Sequence, residues 1–186
     1  FDKRVTIKKN LERSVLKGRI SQSEMDETLS RISTSLLTAD LKNSDIVIEA
    51  IIEDVDTKKA LFSDLGVVCK SRTILASNTS SIPIGILGEA SGRADKVVGM
   101  HFMNPVPVMK LVEVIKGQKT SSETLNHALS FALQIEKTPI VVNDSPGFYT
   151  TRVFVKYPFE GMAMLSEGVK AISIENAGKK AGYPVG

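Results

Sequence analysis

Asp45-Ile46-Val47-Ile48-Glu49-Ala50-Ile51-Ile52 is a nearly continuous apolar run rich in β-branched residues, the mark of a strand covered on both faces and so of a parallel sheet. The pattern downstream agrees. Residues 55–70 read as a helix, 73–77 as a strand, 82–90 as a short helix and 96–102 as a strand. Strands alternating with helices at this spacing build βαβ units, so the chain is expected to hold an α/β domain with helices on both faces of one sheet. Strands over 110–115 and 139–142 flank a helix over 121–134, and Asn143-Asp144-Ser145-Pro146-Gly147 breaks the pattern. A helix over 148–167, kinked near Pro158, and another over 173–181 follow with no strand signal, like the start of a second, helical domain. Upstream, residues 4–17 and 23–32 read as two helices, the second capped by Ser23.

The 186 residues are 42% hydrophobic and 24% charged, which fits one globular domain of ordinary size or one with an appendage. Cys69 is the sole cysteine, so a disulfide scaffold and an all-cysteine metal site are excluded, and a reducing compartment fits best. A formal net charge of +3 is too mild to imply nucleic acid. No apolar run reaches the length of a membrane span. Lys8, Lys9 and Arg13 read as a solvated helix face, with the phosphates of a ligand as the alternative. The chain opens on Phe1 and closes on Gly186 after a turn, and both ends are expected to be cut from a longer protein.

In open α/β sheets ligands bind beyond the carboxyl ends of the strands, so polar residues just past each strand are the candidates. Three clusters qualify: Glu53-Asp54, Asn78-Thr79-Ser80-Ser81, and His101 with Asn104. Ordinary caps and turns are the bland alternative for each. His101 is the sharpest signal, one of two histidines and placed at a strand end. The Asn104-Pro105-Val106-Pro107 segment forces a turn, after which the 110–115 strand can return beside the one it left and set Glu113 against His101. A carboxylate on one ring nitrogen fixes the tautomer and raises the basicity of the other, as a general base requires; a buried histidine with a structural carboxylate is the rival. His127 lies in a polar helix and reads as solvated. Metal ligand spacing is lacking, Ser80 lacks a nucleophile elbow, and Met100, Met103 and Met109 read as core fillers.

With these residues in view the sequence resembles the L-3-hydroxyacyl-CoA dehydrogenase family. The matching motifs are 48–53 (Ile-Glu-Ala-Ile-Ile-Glu), 76–81 (Ala-Ser-Asn-Thr-Ser-Ser), 99–113 from Gly99 to Glu113, 143–148 (Asn-Asp-Ser-Pro-Gly-Phe) and the closing turn 181–186. The resemblance covers nearly the whole chain. It implies a Rossmann-like doubly wound sheet, N-terminally incomplete, over residues 1–144, followed by the start of an all-α domain over 145–186. It also implies that NAD takes hydride from C3 of an (S)-3-hydroxyacyl-CoA in fatty-acid β-oxidation, giving 3-oxoacyl-CoA, with His101 as base and Glu113 its orienting partner.

By the same resemblance Ser80, Asn104 and Thr151 contact substrate, and Ile51, Ile52, Glu53, Lys58, Ser80 and Asn104 lie at the cofactor. The Glu53 and Lys58 side chains could equally be a surface pair. The family's phosphate-binding glycine loop is expected before Phe1. At Thr151 many members carry an asparagine; the Phe148-Tyr149-Thr150-Thr151-Arg152 form resembles the dehydrogenase part of multifunctional fatty-acid oxidation subunits. The implied partners are an acyl-CoA and either a second copy or the rest of a multifunctional chain. The implied compartment is the mitochondrial matrix, peroxisome or bacterial cytoplasm. An NADPH-dependent reductase running the reaction biosynthetically, and a catalytically silent relative, are the alternatives; the presence of both His101 and Glu113 argues against the second.

Overall fold

The computed structural model describes residues 3–183, so the last three residues of the closing turn expected over 181–186 lie outside them. The chain divides into two compact units, Phe1–Asp40 and Leu41–Gly186. The first carries two helices, α1 (Lys3–Leu16) and α2 (Gln22–Ser30). The cap of α2 is Ser21 rather than Ser23. The Ser21 hydroxyl accepts from the Glu24 amide while the Glu24 carboxylate takes the Ser21 amide at 2.7 Å, a reciprocal box that satisfies two otherwise orphaned donors. Lys8 and Lys9 are exposed on α1, with Lys8 loosely paired to Glu12.

The second unit is built on a five-stranded sheet of order β1-β2-β3-β4-β5. The strands are β1 (Ile46–Glu49), β2 (Ile74–Ser77), β3 (Val97–Phe102), β4 (Leu111–Lys116) and β5 (Thr138–Asn143). The first three run parallel, β4 returns antiparallel to β3, and β5 is parallel to β4. The parallel connections carry α3 (Val55–Val68), α4 (Ile84–Ser91) and α5 (Ser122–Gln134).

Two cores lie on the two faces of this sheet. On one, Phe62 and Leu65 of α3 and Ile84 and Leu87 of α4 pack with Leu75, Val97 and Ile115. On the other, Ala128 and Ala132 of α5 pack with Ala76, Val98, Met100, Val112 and Val114. Helices lie on both faces, as the strand and helix spacing predicts, and the fold is Rossmann-like and doubly wound, as the family resemblance implies.

β1 is shorter than the apolar run that announced it. The Glu49 carboxylate takes the Ile51 amide at 2.6 Å, which bends the chain out of the sheet and leaves Ile51 and Ile52 exposed past the strand end. As an edge strand it is only partly covered, whereas β2 is buried throughout. Gly99 sits where β3 must approach its neighbours closely. A Cβ there would lie 2.7 Å from Ile115 Cβ and 2.9 Å from Ile84 Cδ1.

Beyond β5 come α6 (Thr150–Phe154), α7 (Lys156–Ser166) and α8 (Ala171–Lys180). The single helix expected over 148–167 is divided at Val155, because Pro158 has no amide for the Phe154 carbonyl and its ring crowds that oxygen. Met100 is buried as expected, but Met109 is 42% exposed in the turn before β4. No helix among the described residues is long and apolar enough to cross a membrane.

Candidate active site

Side chains alternate across a strand, so residues paired in register share a face. Val47, Leu75 and Val97 stand in one row on the α3/α4 face, Leu75 and Val97 in its core and Val47 packed against it. Two residues further along, the same face carries Glu49, Ser77 and Gly99, and two further again His101 pairs in register with Glu113. The apolar face therefore turns polar at the carboxyl ends of β1, β2 and β3.

Glu113 is fully buried and His101 is 8% exposed. His101 Nδ1 lies 2.7 Å from Glu113 Oε2. That oxygen also accepts from the Thr150 hydroxyl at 2.6 Å. The other, Oε1, accepts the Tyr149 and Thr150 amides at 2.9 and 2.8 Å. Burial pushes the Glu113 carboxyl up, but the Thr150 hydroxyl, the His101 ring and the two amides outweigh it and hold it below the usual carboxylate range. An ionised, acceptor-only Glu113 puts the proton of a neutral His101 on Nδ1 and leaves Nε2 as an acceptor. Nε2 faces Ser80 Oγ at 3.0 Å. Phe148 packs its ring against the imidazole, with centroids 6.0 Å apart.

Ser80 is held from behind. Glu53 Oε1 takes the Ser80 and Ser81 amides and the Thr79 hydroxyl, gathering the turn after β2 around one oxygen. Burial raises the Glu53 carboxyl, and the Thr79 hydroxyl, the Ser80 amide and Lys58 together bring it below the usual range. Lys58 lies 3.2 Å from Glu53 Oε2 and donates to Glu49 Oε1 at 2.7 Å. The surface-pair alternative is thus corrected: Lys58 is 1% exposed, because α3 lays this residue on the sheet over Glu49. Glu49 in turn accepts from Ser77 Oγ at 2.6 Å.

His101, Glu113, Ser80, Glu53 and Lys58 are brought together. Ile51 and Ile52 stand exposed beside them at the β1 end. Asn104 lies in the exposed turn after β3, and among the described residues its side chain takes no part in the hydrogen bonds of the site. Thr151 is half-buried on α6; it is its neighbour Thr150 whose hydroxyl reaches Glu113. His127 is exposed on α5.

Sequence reasoning assigned no role to Glu49, Thr150 or Asp144. Glu49 was legible from period two, two residues past Val47 on one face. Asp144 was not, since its carboxylate takes the Ile84 and Gly85 amides at 2.9 and 2.8 Å and caps α4 from sixty residues away. Asn78 Oδ1, taking the Phe102 amide at 2.8 Å, ties the ends of β2 and β3. Among the described residues no three His, Cys, Asp or Glu side chains gather as a metal would require.

An orienting carboxylate, an imidazole and a hydroxyl in series can accept a proton at His101 Nε2 and hold the charge that results. The family model described as 3-hydroxyacyl-CoA dehydrogenase, NAD binding domain, matches residues 2–145. The chain belongs to the 3-hydroxyacyl-CoA dehydrogenase family. It is 45% identical over 163 residues to the probable 3-hydroxybutyryl-CoA dehydrogenase of Bacillus subtilis, covering 88% of this chain and 57% of that one. It is 42% identical over 178 residues to the fatty acid oxidation complex subunit alpha of Psychrobacter cryohalolentis, covering 96% of this chain and 25% of the subunit. The crystal structure of (S)-3-hydroxybutyryl-CoA dehydrogenase PaaH1 from Ralstonia eutropha superimposes with a TM-score of 0.94 at 38% identity. That match takes in 98% of this chain and 65% of the other. The chain therefore spans between a quarter and two thirds of the length of these 3-hydroxyacyl-CoA dehydrogenase relatives.

Proposed function

We propose that this chain forms the reacting side of an oxidoreductase that converts an (S)-3-hydroxyacyl-CoA to the 3-oxoacyl-CoA with NAD, in fatty-acid oxidation. The observation that carries the reading is His101, tied through Nδ1 to buried Glu113 and presenting Nε2 to Ser80. His101 Nε2 takes the proton of the substrate hydroxyl. Glu113 keeps the ring in the required tautomer and stabilises the imidazolium. Ser80 Oγ, beside the same nitrogen, donates to the reacting oxygen, with Asn104 and Thr151 completing the substrate contacts.

NAD, when bound, accepts the hydride leaving C3. The residues present fit its nicotinamide end. Ile51 and Ile52 expose aliphatic surface for a flat ring at the carboxyl end of β1, next to the Glu53 carboxylate and Ser80. We assign Ile51, Ile52, Glu53, Lys58, Ser80 and Asn104 to that end, Lys58 acting through Glu53. In this reading residues 1–144 serve as the dinucleotide-binding domain and 145–186 begin the helical domain. The working assembly is a homo-oligomer or a longer multifunctional chain.

The test is NAD reduction by 3-hydroxybutyryl-CoA, the substrate named in two of the relatives, using the natural full-length protein beside His101→Gln. Turnover that collapses in the variant supports the reading. A parent that binds both NAD and substrate without turnover overturns it in favour of a silent relative.

A further inference from the structure

Four donors converge on Glu113, and three of them come from one short stretch at the start of α6. Two are backbone amides and occupy Oε1. The remaining donor from that stretch is the Thr150 hydroxyl, and it shares Oε2 with the imidazole. We propose that Thr150 is a positioning residue for the reaction, its hydroxyl setting how strongly Glu113 supports a protonated His101. The proposal rests on the reading of His101 as the base.

The sharing has a definite sign. A carboxylate oxygen that accepts two hydrogen bonds offers less charge to each than an oxygen that accepts one. Thr150 at 2.6 Å thereby draws Glu113 away from His101 at 2.7 Å and weakens its hold on the imidazolium. With Glu113 fully buried, solvent is poorly placed to supply the missing donor when the hydroxyl is removed. The Thr150 position is itself fixed. Gly147 at φ +73° and Phe148 at φ +48° make the turn that delivers it, and Phe148 is locked in the core with its amide on the Ser145 carbonyl at 2.8 Å. A non-glycine residue is held at positive φ only where its surroundings over-determine it.

The charged and titratable groups around the pair arrive from every side. Glu53 holds the Ser80 turn, the Glu49–Lys58 pair lies beneath it, Asp144 caps α4, and Tyr149 and Arg152 flank Thr150 in sequence. All of them are common to the parent and the Thr150 variants.

The experiment measures kcat/KM and kcat against pH for the full-length protein and for Thr150→Val and Thr150→Ser. In Thr150→Val the acid limb moves to higher pH by ~0.5 unit or more. Its plateau kcat falls about two- to tenfold with KM nearly unchanged, because a Glu113 carboxylate with three donors instead of four orients the imidazole less precisely, even as it attracts the imidazolium more strongly. Thr150→Ser, which keeps the hydroxyl, restores both. An unmoved acid limb in Thr150→Val, or a Thr150→Ser variant that behaves like it, overturns the proposal and leaves Thr150 a packing residue. Thr150→Ala replaces Thr150→Val if that variant does not fold. The imidazole resonances of His101, titrated by NMR in parent and variant, give a second readout that needs no turnover. An inactive parent would count against the dehydrogenase reading alone, while the titration would still decide whether Thr150 tunes the pair.

Discussion

His101 and Glu113 are in-register partners across antiparallel β3 and β4, and their side chains meet at 2.7 Å on the face shared with α3 and α4. The pairing follows from the turn at residues 103–110, which sends the chain back beside the strand it has just left. Lys137 pins that turn by donating to the Val106 and Met109 carbonyls. The dyad is thus a product of local topology, while the groups that hold its carboxylate come from 36 and 37 residues further on.

Glu113→Gln tests the burial of that carboxylate. The amide nitrogen of glutamine would face donors on at least one side, so a buried polar group loses its partners. We expect a loss of about 2–4 kcal/mol in denaturant unfolding and a fall in turnover of about 10²-fold or more. A variant as stable as the parent would show that the four contacts on Glu113 are not made in solution.

The pH dependence of stability follows from the same group. Its folded-state pKa lies below the ordinary value, so its contribution is full above the usual carboxylate range and is lost as pH falls through the lowered value. Urea unfolding between about pH 6 and pH 3 should therefore show stability falling with acid, and less steeply in Glu113→Gln than in the parent. Equal slopes in the two proteins would refute the assignment.

Lys58→Met should destabilise strongly, by about 3–5 kcal/mol, because it leaves Glu49 charged and buried with no cation. Removing both charges in Lys58→Met with Glu49→Gln should recover much of that loss. Unfolding midpoints of the single and double variants give the coupling directly.

Gly99→Ala places a methyl group against Ile115 and Ile84 at under 3 Å. Overpacking of this kind costs about 1–3 kcal/mol. Ile84→Val in the same chain should relieve little of it, since Ile115 Cβ remains in the way. A thermal melt unchanged by Gly99→Ala would mean that β3 and β4 shift apart freely.

Asp144→Ala strips the cap from α4, whose own N-terminal residue Pro83 supplies no side-chain cap. The expected cost is about 0.5–2 kcal/mol, measured by chemical unfolding, with Asp144→Asn losing less than Asp144→Ala.

The residues show what a sequence carries and what it hides. The β-branched run at 45–52 and the strand-helix spacing after it revealed β1 to β5, and His101 stood out by position and rarity. The Asn104–Pro107 turn was enough to bring Glu113 to it, because a short antiparallel return is a local event. Lys58 resisted reading because lysine is ordinarily exposed, and only the buried Glu49 at the end of the preceding strand makes its burial tolerable. Thr150 and Thr151 are chemically alike, and which of them reaches Glu113 depends on where α6 begins, a matter of one residue set by the unusual backbone of Phe148. The Asp144 contact links residues sixty apart and has no periodic signal at all.

The dependence of Glu113 on the stretch after β5 bears on how this protein can be divided for laboratory work. A boundary drawn by sheet topology would fall near Asp144, at the end of β5, and the piece it defines would contain both His101 and Glu113. That piece would carry the carboxylate with one of its four donors and without the Phe148 ring beside the imidazole. The smallest portion able to keep the pair in order runs through Thr150 and the helix it opens. The unit of chemistry is longer than the unit of sheet architecture.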